Sequence, residues 1–101
     1  MTPERALTRL SSIAPEVRDG VVLDRAGRRL AGSRTLAGPA ADLLRQAADA
    51  AEVEVGTGRG TVFAVRGPRA AIAVVADRSA LSSVMRYDLR VTAADVSPAK
   101  R

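Results

Sequence analysis

The stretch Ala70-Ala71-Ile72-Ala73-Val74-Val75-Ala76, AAIAVVA, is apolar throughout and has no polar side chain on either face of an extended chain. Side chains of a strand point alternately to its two faces, so a strand of this kind leaves water only when both faces are covered. It belongs in the middle of a sheet with other layers above and below. Arg66-Gly67-Pro68-Arg69 turns the chain before it, and Asp77-Arg78-Ser79 follows it.

Upstream, Thr61-Val62-Phe63-Ala64-Val65 forms another apolar strand. Between it and Ala51-Glu52-Val53-Glu54-Val55 lies VGTGRGTV, residues 55–62, which has the glycines, arginine and hydroxyls of a phosphate-cradling loop. The phosphate loop of nucleotide hydrolases needs GxxxxGK[ST] with a helix behind it, and this loop has no lysine and leads into a strand. The dinucleotide spacing GxGxxG fails as well, because Gly60 follows Gly58 after one residue. The segment is therefore a hairpin connection, with Arg59 at its tip as a contact residue. AEVEV alternates strictly, placing Glu52 and Glu54 on one face and Val53 and Val55 on the other.

Towards the N-terminus, Asp19-Gly20-Val21-Val22-Leu23-Asp24 reads as a strand and Arg29-Leu30-Ala31-Gly32 as its hairpin partner, joined across Arg25-Ala26-Gly27-Arg28. Three helices complete the pattern. Thr2-Pro3-Glu4 starts the first, which runs to about Ile13 with Leu7, Leu10 and Ile13 as its apolar stripe. The second runs from Pro39, or a little earlier, to about Ala50, with Leu36, Ala40, Leu43, Leu44, Ala47 and Ala51 recurring at spacings of three and four. Asp77 or Ser79 caps the third. Its apolar face is Leu81, Val84, Met85 and Leu89, its exposed face carries Arg86, Asp88 and Arg90, and Tyr87 is expected to be half-buried.

The order α-β-β-α-β-β-β-α implies an α+β, three-layer domain over residues 3–96, with helices on both faces of a five-stranded, mostly antiparallel sheet. Residues 97–101 form a basic tail. The short, regular strand at Glu52–Val55 is an edge that can pair with the same strand of a second copy. The predicted dimer interface comprises Ala40, Leu43, Leu44, Ala47, Ala51, Glu52, Val53, Glu54 and Val55.

Composition narrows the chemistry. The chain has 101 residues, no cysteine and no histidine, which removes thiolate nucleophiles, imidazole bases and the common zinc ligand sets. Asp19, Asp24 and Asp77 sit at strand ends or helix starts, where aspartate serves local hydrogen bonds. Ser79, Ser82 and Ser83 have no base to activate them. No metal, cofactor or catalytic residue is expected. No apolar run is long enough to span a bilayer and MTPERALTRLSS has no signal core, so a cytoplasmic location is expected, with no membrane insertion. The net charge of +5 and isoelectric point of about 11.2 keep a basic nucleic-acid-binding domain open as the alternative function. Two aromatics, Phe63 and Tyr87, give no stacking platform, and the arginines are scattered from Arg5 to Arg101.

GVVLDRAGRRLAGS at 20–33 and RGTVFAVRGPRAAIAVVADRSALSSVMRYDLR at 59–90, in this order of elements, resemble the Roadblock/dynein light chain domain family, whose fold is profilin-like. The likeness covers the chain from about Pro3 to Val96. The middle helix is short for the family, and long aliphatics and aromatics are few. The resemblance implies a non-enzymatic homodimer joined through the second helix and third strand, serving as an adaptor or regulator. Bacterial relatives are commonly associated with small Ras-like GTPases, so a GTPase or another signalling protein is the expected partner. Arg59, Arg86, Tyr87 and Arg90 are the expected contacts for it.

Overall fold

The computed structural model describes residues 1–47 and 50–97. The strands are β1 (Val17–Leu23), β2 (Arg29–Gly32), β3 (Glu52–Thr57), β4 (Gly60–Arg66) and β5 (Ala71–Ala76). The helices are α1 (Pro3–Ile13), α2 (Arg34–Gln46) and α3 (Ser82–Asp95). The strands form one sheet in the order β2-β1-β5-β4-β3, every neighbouring pair antiparallel, with β5 in the centre as expected from its composition.

The alternation within β5 divides the core. Ile72, Val74 and Ala76 point into a cluster with Phe63, Val65 and Val22 that α1 covers with Ala6 and Leu10, and α3 with Met85, Leu89 and Ala93. Ala71 and Ala73 point to the other face, where with Ala64, Val21 and Leu23 they meet Leu36, Ala40 and Leu44 of α2. Larger residues of β4 and β5 thus face α1 and α3, and their alanines face α2 beside Val21 and Leu23 of β1. α1 comes close to the sheet at a hollow: a Cβ added to Gly20 would lie 3.0 Å from Leu7, and one added to Gly32 would lie 2.3 Å from the Gly20 carbonyl.

Several sequence expectations require correction. β1 begins at Val17, earlier than the apolar run, because its first residues pair with Val75 and Ala76 of β5. α2 begins at Arg34, where Ser33 caps it by accepting from the Leu36 N–H at 3.1 Å. Pro39 therefore lies inside the helix, on its exposed side, where it cannot donate to the Thr35 carbonyl. α2 ends with Ala47 as its C-cap, and the expected extension through residues 48 and 49 lies outside the described residues. α3 begins at Ser82, because Asp77 and Ser79 close a separate turn in which the Ser79 N–H and hydroxyl both donate to the Asp77 carboxylate. Ile13, Leu81 and Val84, expected in the core, are exposed, and Ala6, Thr92 and Ala93 take the buried positions. Tyr87 is 59% exposed and does not cap the core.

The expected limits of the domain, residues 3–96, are crossed by contacts at both ends. The Met1 ammonium donates to the Asp95 carbonyl and the Ser97 N–H donates to the Met1 carbonyl, at 2.9 and 2.7 Å. The rest of the expected basic tail, residues 98–101, lies outside the described residues.

Thr92 is 1% exposed, and its hydroxyl has no hydrogen-bond partner among the described residues. An unsatisfied buried hydroxyl costs on the order of 1–3 kcal/mol, and valine has nearly the same shape. Thr92→Val should therefore raise stability by about 1 kcal/mol in urea titration, and raise Tm by about 4–8 °C. A lower urea midpoint would show that the hydroxyl is satisfied within the fold.

Candidate functional site

Two surfaces offer recognition chemistry, one along the β3 edge and the other beneath the C-terminal half of α2. The register of β3 on β4 pairs Val53 with Ala64 and Val55 with Val62, and the Arg66 N–H donates to the Ala51 carbonyl at 2.8 Å. In an antiparallel ladder, residues that exchange hydrogen bonds with the neighbour alternate with residues that do not. Ala51, Val53, Val55 and Thr57 therefore bond to β4. The main-chain groups of Glu52, Glu54 and Gly56 point outward, with no strand beyond them in the sheet.

The two faces of this edge differ. Glu52 accepts from Arg90 Nε at 2.7 Å, and Glu54 accepts from the Ser82 hydroxyl at 2.7 Å with Arg86 3.9 Å away. Two residues along a strand span about 6.7 Å and four along a helix about 6 Å, so the spacings Glu52/Glu54 and Arg86/Arg90 match. α3 is thereby latched over the edge strand. On the opposite face α2 lies against β1 and reaches β4, leaving Val53 half-buried and Val55 exposed.

The predicted interface residues are distributed accordingly. Ala40 and Leu44 are buried within the chain's own core, as the Leu36 stripe faces the sheet. Leu43 is half-buried and packs on the same cluster, Ala47 is half-buried at the helix end, and Ala51 is exposed. The strand positions Glu52, Val53, Glu54 and Val55 come together as one edge. Among the expected partner contacts, Arg86 and Arg90 are engaged by the β3 carboxylates. Arg59 is exposed in the β3–β4 turn, its N–H donating to the Thr57 hydroxyl at 3.2 Å. Tyr87 lies apart from the latch, on an exposed apolar stripe with Leu81, Val84 and Val91.

The second surface was not anticipated from the sequence. A cleft of about 430 Å³ opens between the β1–β2 turn, the β4–β5 turn and the C-terminal half of α2. Arg25, Arg45 and Arg66 line it together with Asp24, Leu23, Leu44 and Ala71. Its arginines are far apart in sequence, so no local motif reveals them. Arg66 is held in place by donating to the Leu44 carbonyl in the last turn of α2 and to the Ala50 carbonyl just before β3.

Asp24 organises the adjoining turn. One carboxylate oxygen accepts from the Ala26 and Arg28 N–H groups, both at 2.9 Å, and the other accepts from Arg28 Nε at 3.2 Å. Gly27, at φ 87°, completes the reversal. The Arg28 N–H foremost, with the Ala26 N–H and the Arg28 guanidinium, holds the Asp24 carboxyl below its ordinary value of 3.8 against a contrary push from burial. Asp77 is also held low, first by the Ser79 hydroxyl and N–H and then by Arg18. Among the described residues no group of three or more histidine, cysteine or acidic side chains is placed to hold a metal ion. No helix among them is long and apolar enough to cross a membrane.

The sign of the Asp24 effect follows from its lowered value. Its contribution to stability is complete above pH 3.8 and is lost as the pH falls through the folded value. The fall in Tm between pH 5 and pH 2.5 should be smaller in Asp24→Asn than in the parent chain. Equal falls in thermal scans would remove Asp24 as a source of acid sensitivity.

No protein-family model and no curated protein matches the chain. Solved structures do match. A Roadblock/LC7 domain from Streptomyces avermitilis superposes with a TM-score of 0.79 at 18% identity, over 92% of each chain. Another structure of such a domain from the same organism gives 0.73 at 24% identity, over 89% of this chain and 93% of that one. The gliding protein MglB from Thermus thermophilus gives 0.64 at 21% identity, over 91% of this chain and 85% of that one. Three helices around an antiparallel five-stranded sheet, in the order α-β-β-α-β-β-β-α, are thus the Roadblock/LC7 fold.

Proposed function

We propose that this chain is a non-catalytic interaction module that works as a homodimer joined along β3, and that it serves as an adaptor or regulator of a small Ras-like GTPase in bacterial signalling. The observation that carries the dimer is the β3 edge. It is regular over Glu52–Thr57, contains no proline or bulge, and presents outward main-chain groups beside the half-buried Val53 and the exposed Val55. Natural proteins blunt such edges or pair them. The outer flank of α2 near Leu43 and Ala47 lies on the face of Val53 and Val55, so a second copy placed against the edge covers helix and strand together.

The regulatory reading draws on the fold shared with Roadblock/LC7 domains and MglB, together with the GTPase association of bacterial relatives. The nucleic-acid alternative rests on net charge alone. Six of the arginines are already in ion pairs with carboxylates of the chain, which lowers the charge they offer a phosphate backbone.

Glu54→Pro removes an N–H that points away from β4, so it should spare the β3–β4 ladder while blocking a strand added outside it. In light scattering at micromolar concentration the parent chain should have the mass of two copies and the variant that of one, with similar circular dichroism. A monomeric parent chain would end the dimer reading. For the regulatory role, the expected result is a change in nucleotide exchange or hydrolysis by a GTPase captured with the protein from its host. Capture of no GTPase, with no effect on one encoded nearby, would remove it.

A further inference from the structure

We propose that the cleft beneath the C-terminal half of α2 binds an acidic segment of a partner protein, holding a side-chain carboxylate between Arg25 and Arg45 and an aliphatic side chain against Leu44. The inference rests on reading the chain as a protein-binding module. It concerns a surface separate from the outward edge of β3, and it holds whether one copy or two are present.

Charge carries the argument. Three arginines and one aspartate line the cleft. Both oxygens of that carboxylate, Asp24, are occupied within their own turn, so it adds little attraction for a cation. Arg66 is pinned by the main chain, which fixes one positive charge in the lining without the entropy cost of ordering a free side chain. Arg45 pairs with Asp42, three residues before it, but both groups are largely exposed, and such a pair contributes at most about 1 kcal/mol. Arg25 makes no ion pair among the described residues. Arg25 from a turn and Arg45 from a helix therefore share the cleft lining with the anchored Arg66. Planar guanidinium groups bind carboxylates through paired hydrogen bonds.

Size and lining select the ligand within that charge class. The volume of about 430 Å³ lies in the usual range for a ligand site, and Leu23, Leu44 and Ala71 supply an apolar component that a bare inorganic anion does not use. Because the cleft is open, it suits a segment that enters with one or two side chains and leaves again.

The test uses the full chain, labelled with 15N, titrated with the probe peptide acetyl-Glu-Glu-Leu-Glu-Glu-amide. Saturable shifts are expected at the amides of Gly27, Ala41 and Gly67, which border the cleft. Arg25→Gln with Arg45→Gln should weaken binding about tenfold or more while lowering Tm by no more than loss of the exposed Arg45–Asp42 pair costs, and the glutamine version of the peptide should bind the parent chain as weakly. Arg66 is left intact because it supports the end of α2. Equal affinity in the double variant would overturn the proposal, as would shifts concentrated at Arg5 or Arg59. So would inorganic phosphate binding at the same amides as strongly as the peptide, since the cleft would then be a site for small anions. Because the peptide titration reads neither mass nor GTPase activity, its failure leaves the dimer and regulator readings to their own tests.

Discussion

The burial of both faces of β5 is the constraint on which the rest of the fold depends. A strand without polar side chains needs a layer on each side, and the alternation of its residues sets how near each layer lies. Ala71 and Ala73, beside Ala64, give α2 a surface of small side chains. Ile72 and Val74, beside Phe63 and Val65, fill the wider space beneath α1 and α3. One phenylalanine is enough for this core because α2 meets the alanines of β4 and β5 beside Val21 and Leu23, while Phe63 and Ile72 help fill the other side. The arrangement also explains the glycines near α1, since Leu7 enters a space that a Cβ at Gly20 or Gly32 would close.

Centring the sheet on β5 places β2 and β3 at its margins, and the two edges differ. β2 runs only over Arg29–Gly32, and its register with β1 is interrupted between Val22 and Leu23. A short edge beside an irregular pairing is a poor template for another strand. β3 pairs with β4 without interruption and keeps its outward groups in line. α3 adds stiffness by latching Glu52 and Glu54 from one face. Each exposed ion pair contributes at most about 1 kcal/mol, so the latch matters more for holding carboxylate orientation than for stability.

Much of this was legible from periodicity and turn chemistry. The apolar run at 70–76, the alternation at 51–55 and the glycine at 27 each correspond to one physical requirement, and each local reading agreed with the fold. The errors arose where two local signals competed. Pro39 resembles a helix start, but Ser33 is the residue whose hydroxyl meets a free N–H, and α2 runs through Pro39 with one main-chain bond missing on its exposed side. Asp77-Arg78-Ser79 resembles a cap, yet its hydrogen bonds close on themselves before the helix begins. Leu81 and Val84 are more apolar than Thr92 and Ala93, but small side chains face the sheet where α3 packs closely, and a Cβ at Gly67 would lie 2.5 Å from the Ala93 carbonyl. The cleft was illegible for another reason. Arg25, Arg45 and Arg66 meet only through tertiary packing, and no spacing within the chain records that proximity. The latch, by contrast, left a trace in the matched spacings of Glu52/Glu54 and Arg86/Arg90, which becomes readable only when α3 is known to cross that face.

If two copies pair along β3 as proposed, the same geometry limits the registers open to them. A two-fold axis perpendicular to the sheet gives two antiparallel copies of a strand with like faces on the same side, so facing residues must both be odd or both be even in number. Centring on Val53 overlaps only Glu52–Glu54 and sets two glutamates against glutamates. Centring on Val55 pairs the two copies of Val55 but sets Val53 against Thr57. Centring on Glu54 overlaps Glu52–Gly56, pairs Val53 with Val55 of a second copy twice, and places Glu52 opposite Gly56. Cross-strand apolar pairs contribute about 0.2–1 kcal/mol each, and like charges face to face cost a similar amount. The Glu54 centre thus gains two valine pairs against one repulsion, and that repulsion falls on a carboxylate that already accepts from Ser82 and lies beside Arg86. In a dimer of that register, the two side chains on α3 that hold Glu54 would also be the ones that make its approach to its own copy tolerable.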